Sequence, residues 1–289
     1  MARYLDPKAD LTFKKVFGEH PNLVASLLNS LLPLPAGEEI ADIEYMSPER
    51  VPRTSIGKNS IVDVFCKTRD GRKFIVEMQM CWTADFKDRA LFNSAKVYVD
   101  QLEHAEDFSL LRPVYSLNLV DAVFEKDVPE FIHHYKVVHE KYTDKLIEGF
   151  HIVFVELPKF KPQSIAERKM AVLWLRFLTE INKTTEQVPD EFMESSEISQ
   201  AVKLVEESAY TREQLMGYDL FWDAVRVAKT LASAPERSYK VGLKEGKEAG
   251  LKEGKERLLQ TARNLKALNL TIEQIAAATG LAADEIEKL

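Results

Sequence analysis

An α/β fold, with a mixed sheet flanked by helices and an all-helical C-terminal region, is what this 289-residue sequence predicts. Three observations carry the prediction. Strand-like apolar runs and amphipathic helical runs interleave as far as about residue 160, the pattern of a sheet with helices against it. Two apolar runs at 60–80 flank a turn containing Asp70-Gly71, the signature of a hairpin. Beyond the Pro-Lys-Phe-Lys-Pro stretch that ends at Pro162, only helical periodicity remains. The chain therefore divides into 1–160, a helical region at 161–235, and a repeat helix with a small tail at 236–289.

In order, Asp10 precedes a run in which Phe13, Val16, Phe17, Leu23, Val24, Leu27, Leu28 and Leu31 recur at helical spacing. Asp10 reads as its N-cap, and Gly18-Glu-His-Pro21 breaks the run into two helices. Ile40–Met46 reads as a strand, and a proline-containing loop leads to the hairpin. Phe86–Leu102 reads as a helix. Val114–Val120, Phe131–Val138 and Phe150–Leu157 read as strands. The helical region follows at 165–181, 196–209 and 211–232, with Pro235 closing the last.

The hairpin carries the chemistry. Asp63 interrupts one apolar run and Glu77 the other, and a carboxylate in a buried strand is costly without a partner. A bound cation is the common partner for two of them. Side chains alternate along a strand, so Glu77 and Gln79 share a face. A two-residue Asp-Gly turn would set Asp63 against Met78, with the acids on opposite faces. A three-residue loop, Arg69-Asp70-Gly71, sets Asp63 against Glu77 and needs a left-handed glycine at its third position. With the backbone carbonyl of Met78, the two acids would form a hard oxygen site suited to Mg²⁺ or Mn²⁺. The Gln79 amide can orient a water but cannot act as a base or a fixed charge.

Asp63, a 13-residue gap and Glu77-Met78-Gln79 together resemble the PD-(D/E)XK nuclease core in its E-x-Q variant. With the opening Asp10-Leu-Thr-Phe-Lys-Lys-Val-Phe-Gly18 and the helix bearing Arg89 and Tyr98, residues 4–160 resemble the recombination-promoting nuclease and transposase family. The resemblance implies a restriction-endonuclease-like sheet and metal-dependent cleavage of DNA. It makes Asp63 and Glu77 metal ligands, with Asp10 and Lys14 as further site residues. Lys14, reaching in from the first helix, would partly replace the lysine that Gln79 displaces. Arg89 and Tyr98 are nine residues apart, so they cannot both face the site; Arg89 is the preferred phosphate contact, and Arg53, Lys58 and Lys73, from the basic cluster at 50–73, are further candidates.

Composition bounds these readings. The formal charge of −7 is not the signature of a nucleic-acid-binding chain. Between Arg50 and Lys73, however, seven basic residues face two acids, a cluster able to meet a phosphate backbone or simply to be solvated. Two cysteines indicate neither a disulfide framework nor a zinc site and suit a reducing cytoplasm. No run approaches a membrane span and no signal peptide is visible, so a soluble cytoplasmic protein is expected. His133, His134 and His139 read as ordinary sheet histidines.

The repeat Gly242-Leu-Lys-Glu-Gly-Lys-Glu-Ala, then Gly250-Leu-Lys-Glu-Gly-Lys-Glu-Arg, lines one helix face with glycine. It reads as a charged connector, or as a close-approach surface for a homo-oligomer. The tail holds two short helices around Thr279-Gly280, whose acidic second helix suits packing or a partner better than DNA. The rival to a Mg²⁺-dependent endonuclease is an inactive nuclease-fold protein acting through its C-terminal helices. A strand-joining transposase is the weakest of the three, since nothing in the sequence shows joining.

Overall fold

Residues 3–47, 63–102, 106–162, 169–268 and 270–289 are described by a computed structural model, with the side chains of 169 and 235–245 left aside. Two compact units result, Met1–Lys229 and Thr230–Leu289.

The first unit is built on a six-stranded mixed sheet in the order β1-β2-β3-β4-β6-β5. The strands are β1 (Glu44–Tyr45), β2 (Val64–Lys67), β3 (Lys73–Gln79), β4 (Val114–Val120), β5 (Ile132–Val138) and β6 (Leu146–Glu156). β3, β4 and β6 run parallel in the centre, and the antiparallel pairs lie outside them. β4 is buried along its whole length, as a strand covered on both faces must be. The expected strand at 40–46 shrinks to two residues, because only Glu44 and Tyr45 find ladder partners in β2.

One sheet face packs against α1 (Asp10–Phe13), α2 (Pro21–Leu31), α4 (Lys169–Glu180) and α6 (Ser196–Leu204). Phe74, Val76, Leu117, Leu119, Val153 and Val155 meet Phe17, Leu27, Trp174 and Phe177 there. The other face takes one helix, α3 (Phe86–Val99), whose Phe86, Ala90 and Val97 cover Ile75, Val114, Val120 and Ile152. A short helix that the sequence reading lacks, α5 (Asp190–Glu194), buries Phe192 in the first core.

Two helix ends differ from expectation. Ala9, not Asp10, is the N-cap of α1; Asp10 is its first residue and makes no cap hydrogen bond. An acid there is favourable toward the helix dipole without capping it. The chain then widens into one π-helical turn, Lys14–Gly18, before Pro21 opens α2. Pro235 closes nothing: α7 (Arg212–Ala267) continues through it. A proline removes one ladder hydrogen bond, and the Lys-, Glu- and Ala-rich chain after it keeps the helix going.

In the second unit the end of α7 packs with α8 (Ile272–Thr279) and α9 (Ala283–Glu287) around Ala262, Ile275, Leu281 and Ile286. Gly280 takes the left-handed conformation that ends α8, φ +72°. An ion pair joins Lys255 to Glu285 at 3.0 Å.

Candidate metal centre

The hairpin takes the three-residue loop. Thr68 N–H donates to Arg72 O at 3.1 Å, Gly71 N–H to Thr68 O at 3.0 Å, and Gly71 sits at φ +89°. Lys67 pairs with Lys73 and Val64 with Val76, so one further step sets Asp63 opposite Glu77. Phe65, Ile75 and Glu77 face α3, while Val64, Phe74 and Val76 face the N-terminal helices.

β3 ends between two partners. Its Gln79 carbonyl accepts from Asp121 N–H, on the β4 side, at 2.8 Å. Its Met78 N–H donates to Asp63 Oδ2, on the β2 side, at 2.7 Å. Backbone groups alternate sides along a strand in step with its ladder, so the Met78 carbonyl also lies on the β2 side.

Glu77 is 7% exposed and Asn93, on α3, 1%. Asn93 Nδ2 donates to Glu77 Oε1 at 2.9 Å. One turn earlier on the same helix, Arg89 donates to Gln79 Oε1 at 2.8 Å, and Gln79 Nε2 donates to Cys81 O at 2.7 Å. Gln79 is therefore anchored at both ends, and the guanidinium is held beside the acids. Arg89 lies over the Phe86 ring, 4.7 Å from its centroid. Tyr98 points elsewhere, packing on Phe150 and against Gly149, as its nine-residue offset from Arg89 requires.

Burial pushes the Asp63 carboxyl above its ordinary range, opposed by the Met78 N–H and the charges of Lys14 and Arg89. Burial also pushes Glu77 up; Asn93 opposes it, the charge of Asp63 adds to it, and Arg89 lowers it. Two buried acids, one of them pushed up further by the charge of the other, are what a cation relieves. Asp10 and Lys14 pair at 2.6 Å on the first helix turn, near enough for both charges to act on Asp63.

These donors fit a hard divalent ion. Among the described residues no hydrogen bond reaches Asp63 Oδ1 or Glu77 Oε2, so each carboxylate spends one oxygen on the protein and keeps the other. With the Met78 carbonyl this makes three oxygens, the partial, water-completed set typical of Mg²⁺. No group of three or more His, Cys, Asp and Glu side chains able to hold a metal occurs among the described residues.

The basic residues divide. Arg53 and Lys58 lie outside the described residues. Lys73 stands at the loop end of β3, four residues or about 13 Å from Glu77, with Nζ 3.9 Å from Met46 Sδ and its pKa lowered by burial and by Lys67. Lys67 pairs with Glu44 at 3.1 Å, Arg69 with Asp42 at 3.2 Å and Arg72 with Asp70 at 2.8 Å. The hairpin tip answers much of its own charge.

Asn93 is the site residue that sequence reasoning missed. Its signal was its spacing: four residues after Arg89, it shares that residue's helix face. His133 is a sheet histidine as expected, bonded at 2.7 Å to the buried Glu156, which Lys159 also meets at 2.7 Å.

Among the described residues, no helix is long and apolar enough to cross a membrane. Comparison with curated proteins and with solved structures finds no match. A family model, PD-(D/E)XK nuclease family transposase, matches residues 7–224. That span takes in the sheet, α3 and both acids, and the chain belongs to the PD-(D/E)XK nuclease family transposases.

Proposed function

We propose that this protein is a Mg²⁺- or Mn²⁺-dependent DNA endonuclease acting in the cytoplasm, in recombination or on mobile elements. The observation that supports this best is the pair of buried carboxylates, Asp63 and Glu77, each held, among the described residues, by one hydrogen bond with one oxygen left over. Asp63, Glu77 and the Met78 carbonyl would hold the ion. Bound there, a divalent cation supplies a Lewis acid and a water of lowered pKa.

The chain's own residues do the rest. Asn93 holds one Glu77 oxygen and would leave the other for the ion. Gln79, held by Cys81 O, aims Arg89 at the site, and the guanidinium offers a fixed charge to a phosphate. Lys14 adds charge from the π-helical turn, with Asp10 orienting it. Arg53, Lys58 and Lys73 would seat the strand farther out. Oligomerisation through the C-terminal helices is part of the same proposal.

Purified protein should cut duplex DNA with Mg²⁺ or Mn²⁺, and both EDTA and Asp63→Ala should abolish the cut. Cleavage that survives Asp63→Ala would refute the assignment. The second reading, an inactive nuclease fold, is favoured by one observation: Gln79 has both amide ends engaged and is no free water ligand. Calorimetry with Mn²⁺ separates the two. The nuclease gives a signal that Glu77→Ala removes, and the inactive fold gives none.

A further inference from the structure

A cavity of about 500 Å³ opens in the first unit, lined by Tyr218 and Trp222 of α7 with Lys183, Asp219, Asp223 and Arg226. Asp6 also lines it, and the charge of Asp121 helps hold the Asp6 carboxyl above its ordinary range, after the larger effect of burial. Asp121 follows β4 directly and donates its N–H to the Gln79 carbonyl. Its carboxylate pairs with Lys229 at 2.7 Å. Trp222 and Lys229 are seven residues apart on α7, so they share a face about 10.5 Å apart along the axis. The cavity therefore lies on the flank of the carboxylate end of the sheet.

Its charges are answered within it. Lys183 pairs with Asp219 at 2.6 Å, Arg226 with Asp223, and Asp6 with Lys8 at 3.0 Å. Such a lining suits a phosphate poorly. It offers an indole surface and carboxylate oxygens able to accept N–H groups. Tyr218 makes the wall rigid: its hydroxyl accepts the Asp6 N–H at 2.9 Å, and its ring meets Trp222 at 6.2 Å and 65°. A planar, neutral ligand with exocyclic N–H donors matches this chemistry, and a nucleobase is such a ligand.

We propose that this cavity takes one unpaired nucleobase, stacked on Trp222 with its amino group toward Asp219 or Asp223. The substrate implied is a single-stranded, frayed or flipped-out strand whose phosphate lies at the carboxylate site. The word substrate rests on the nuclease reading; the binding of a base does not.

The test uses the full chain in EDTA, so that binding is measured without cutting. The probes are a short single strand containing 2-aminopurine, the matching duplex, and free dAMP. Wild type should quench the single-strand probe. Trp222→Ala should weaken single-strand binding roughly tenfold, by loss of one stacked base, and change duplex binding far less. Trp222→Phe, which keeps a ring, should restore most of the affinity and guards against a folding defect. Quenching of the strand probe that excess dAMP does not reverse identifies a strand-borne base; reversal by dAMP shows that a free nucleotide also enters the cavity. Equal affinities for wild type and Trp222→Ala would overturn the proposal. So would equal losses on strand and duplex, or a Phe variant as weak as the Ala variant. Mn²⁺ calorimetry on wild type judges the nuclease reading separately.

Discussion

Burial raises the carboxyl pKa of both Asp63 and Glu77 above their unfolded values. Without metal, the native state then holds more protons than the unfolded chain between the unfolded and folded pKa. Stability therefore falls as pH rises through that window and stays lower above it. Glu77→Gln keeps the acceptor that Asn93 meets and removes the charge. At pH 7.5 and in EDTA it should melt at or above the wild-type temperature, and the difference should close near pH 4, at the ordinary glutamate value. Its Mn²⁺ binding should be lost. A metal-free variant that melts lower than wild type at pH 7.5 would contradict a buried, uncompensated Glu77. In the proposed metal site, Asn93 would act through Glu77, as an outer partner orients a ligand. Asn93→Ala should weaken Mn²⁺ about tenfold by calorimetry and leave a folded protein by circular dichroism.

The hairpin loop sets which residues can meet at all. Its register turns on Gly71, at φ +89°, where a side chain is strained. An added Cβ would stand 3.4 Å from Arg112 Cγ, an ordinary contact, so conformation rather than crowding sets the cost. Gly71→Ala should destabilise by about 1 kcal/mol, read as a lower urea midpoint, and Gly71→Asn by less, since asparagine tolerates the left-handed region. The hairpin was legible beforehand and its register was not: the sequence allowed a two-residue or a three-residue turn, and the structure takes the three-residue one that the glycine at its third position permits. β4 was legible to the residue because Val, Tyr and Leu dominate a seven-residue run bounded by Pro113 and Asp121, with Ser116 and Asn118 as its only polar members. β1 was not, because its length depends on how far β2 reaches, and α7 was not, because a proline is a strong local signal that a long helix overrode.

At the scale of the molecule, the site lies within Met1–Lys229, and the glycine-bearing stretch of α7 belongs to Thr230–Leu289. Gly246, Gly250 and Gly254 have nothing within 4 Å of an added Cβ among the described residues, so the smooth face makes no contact there. A chain ending after Lys229 should bind Mn²⁺ with the affinity of the full protein, measured by calorimetry on both. Loss of binding in the shortened chain would mean that the C-terminal unit completes or stabilises the site.

From the order of its residues alone, this protein declares a mixed α/β sheet and a hairpin with two candidate registers, of which the three-residue loop brings the two acids face to face. Those follow from period-two and period-3.6 patterning and from turn chemistry, which are local. Asn93 at Glu77, Arg89 through Gln79, and the aromatic cavity at Trp222 appear only when α3 docks on the sheet and α7 packs on the N-terminal segment. Which polar side chain meets which carboxylate is decided by helix placement across a packed core, and no spacing along the chain encodes that distance.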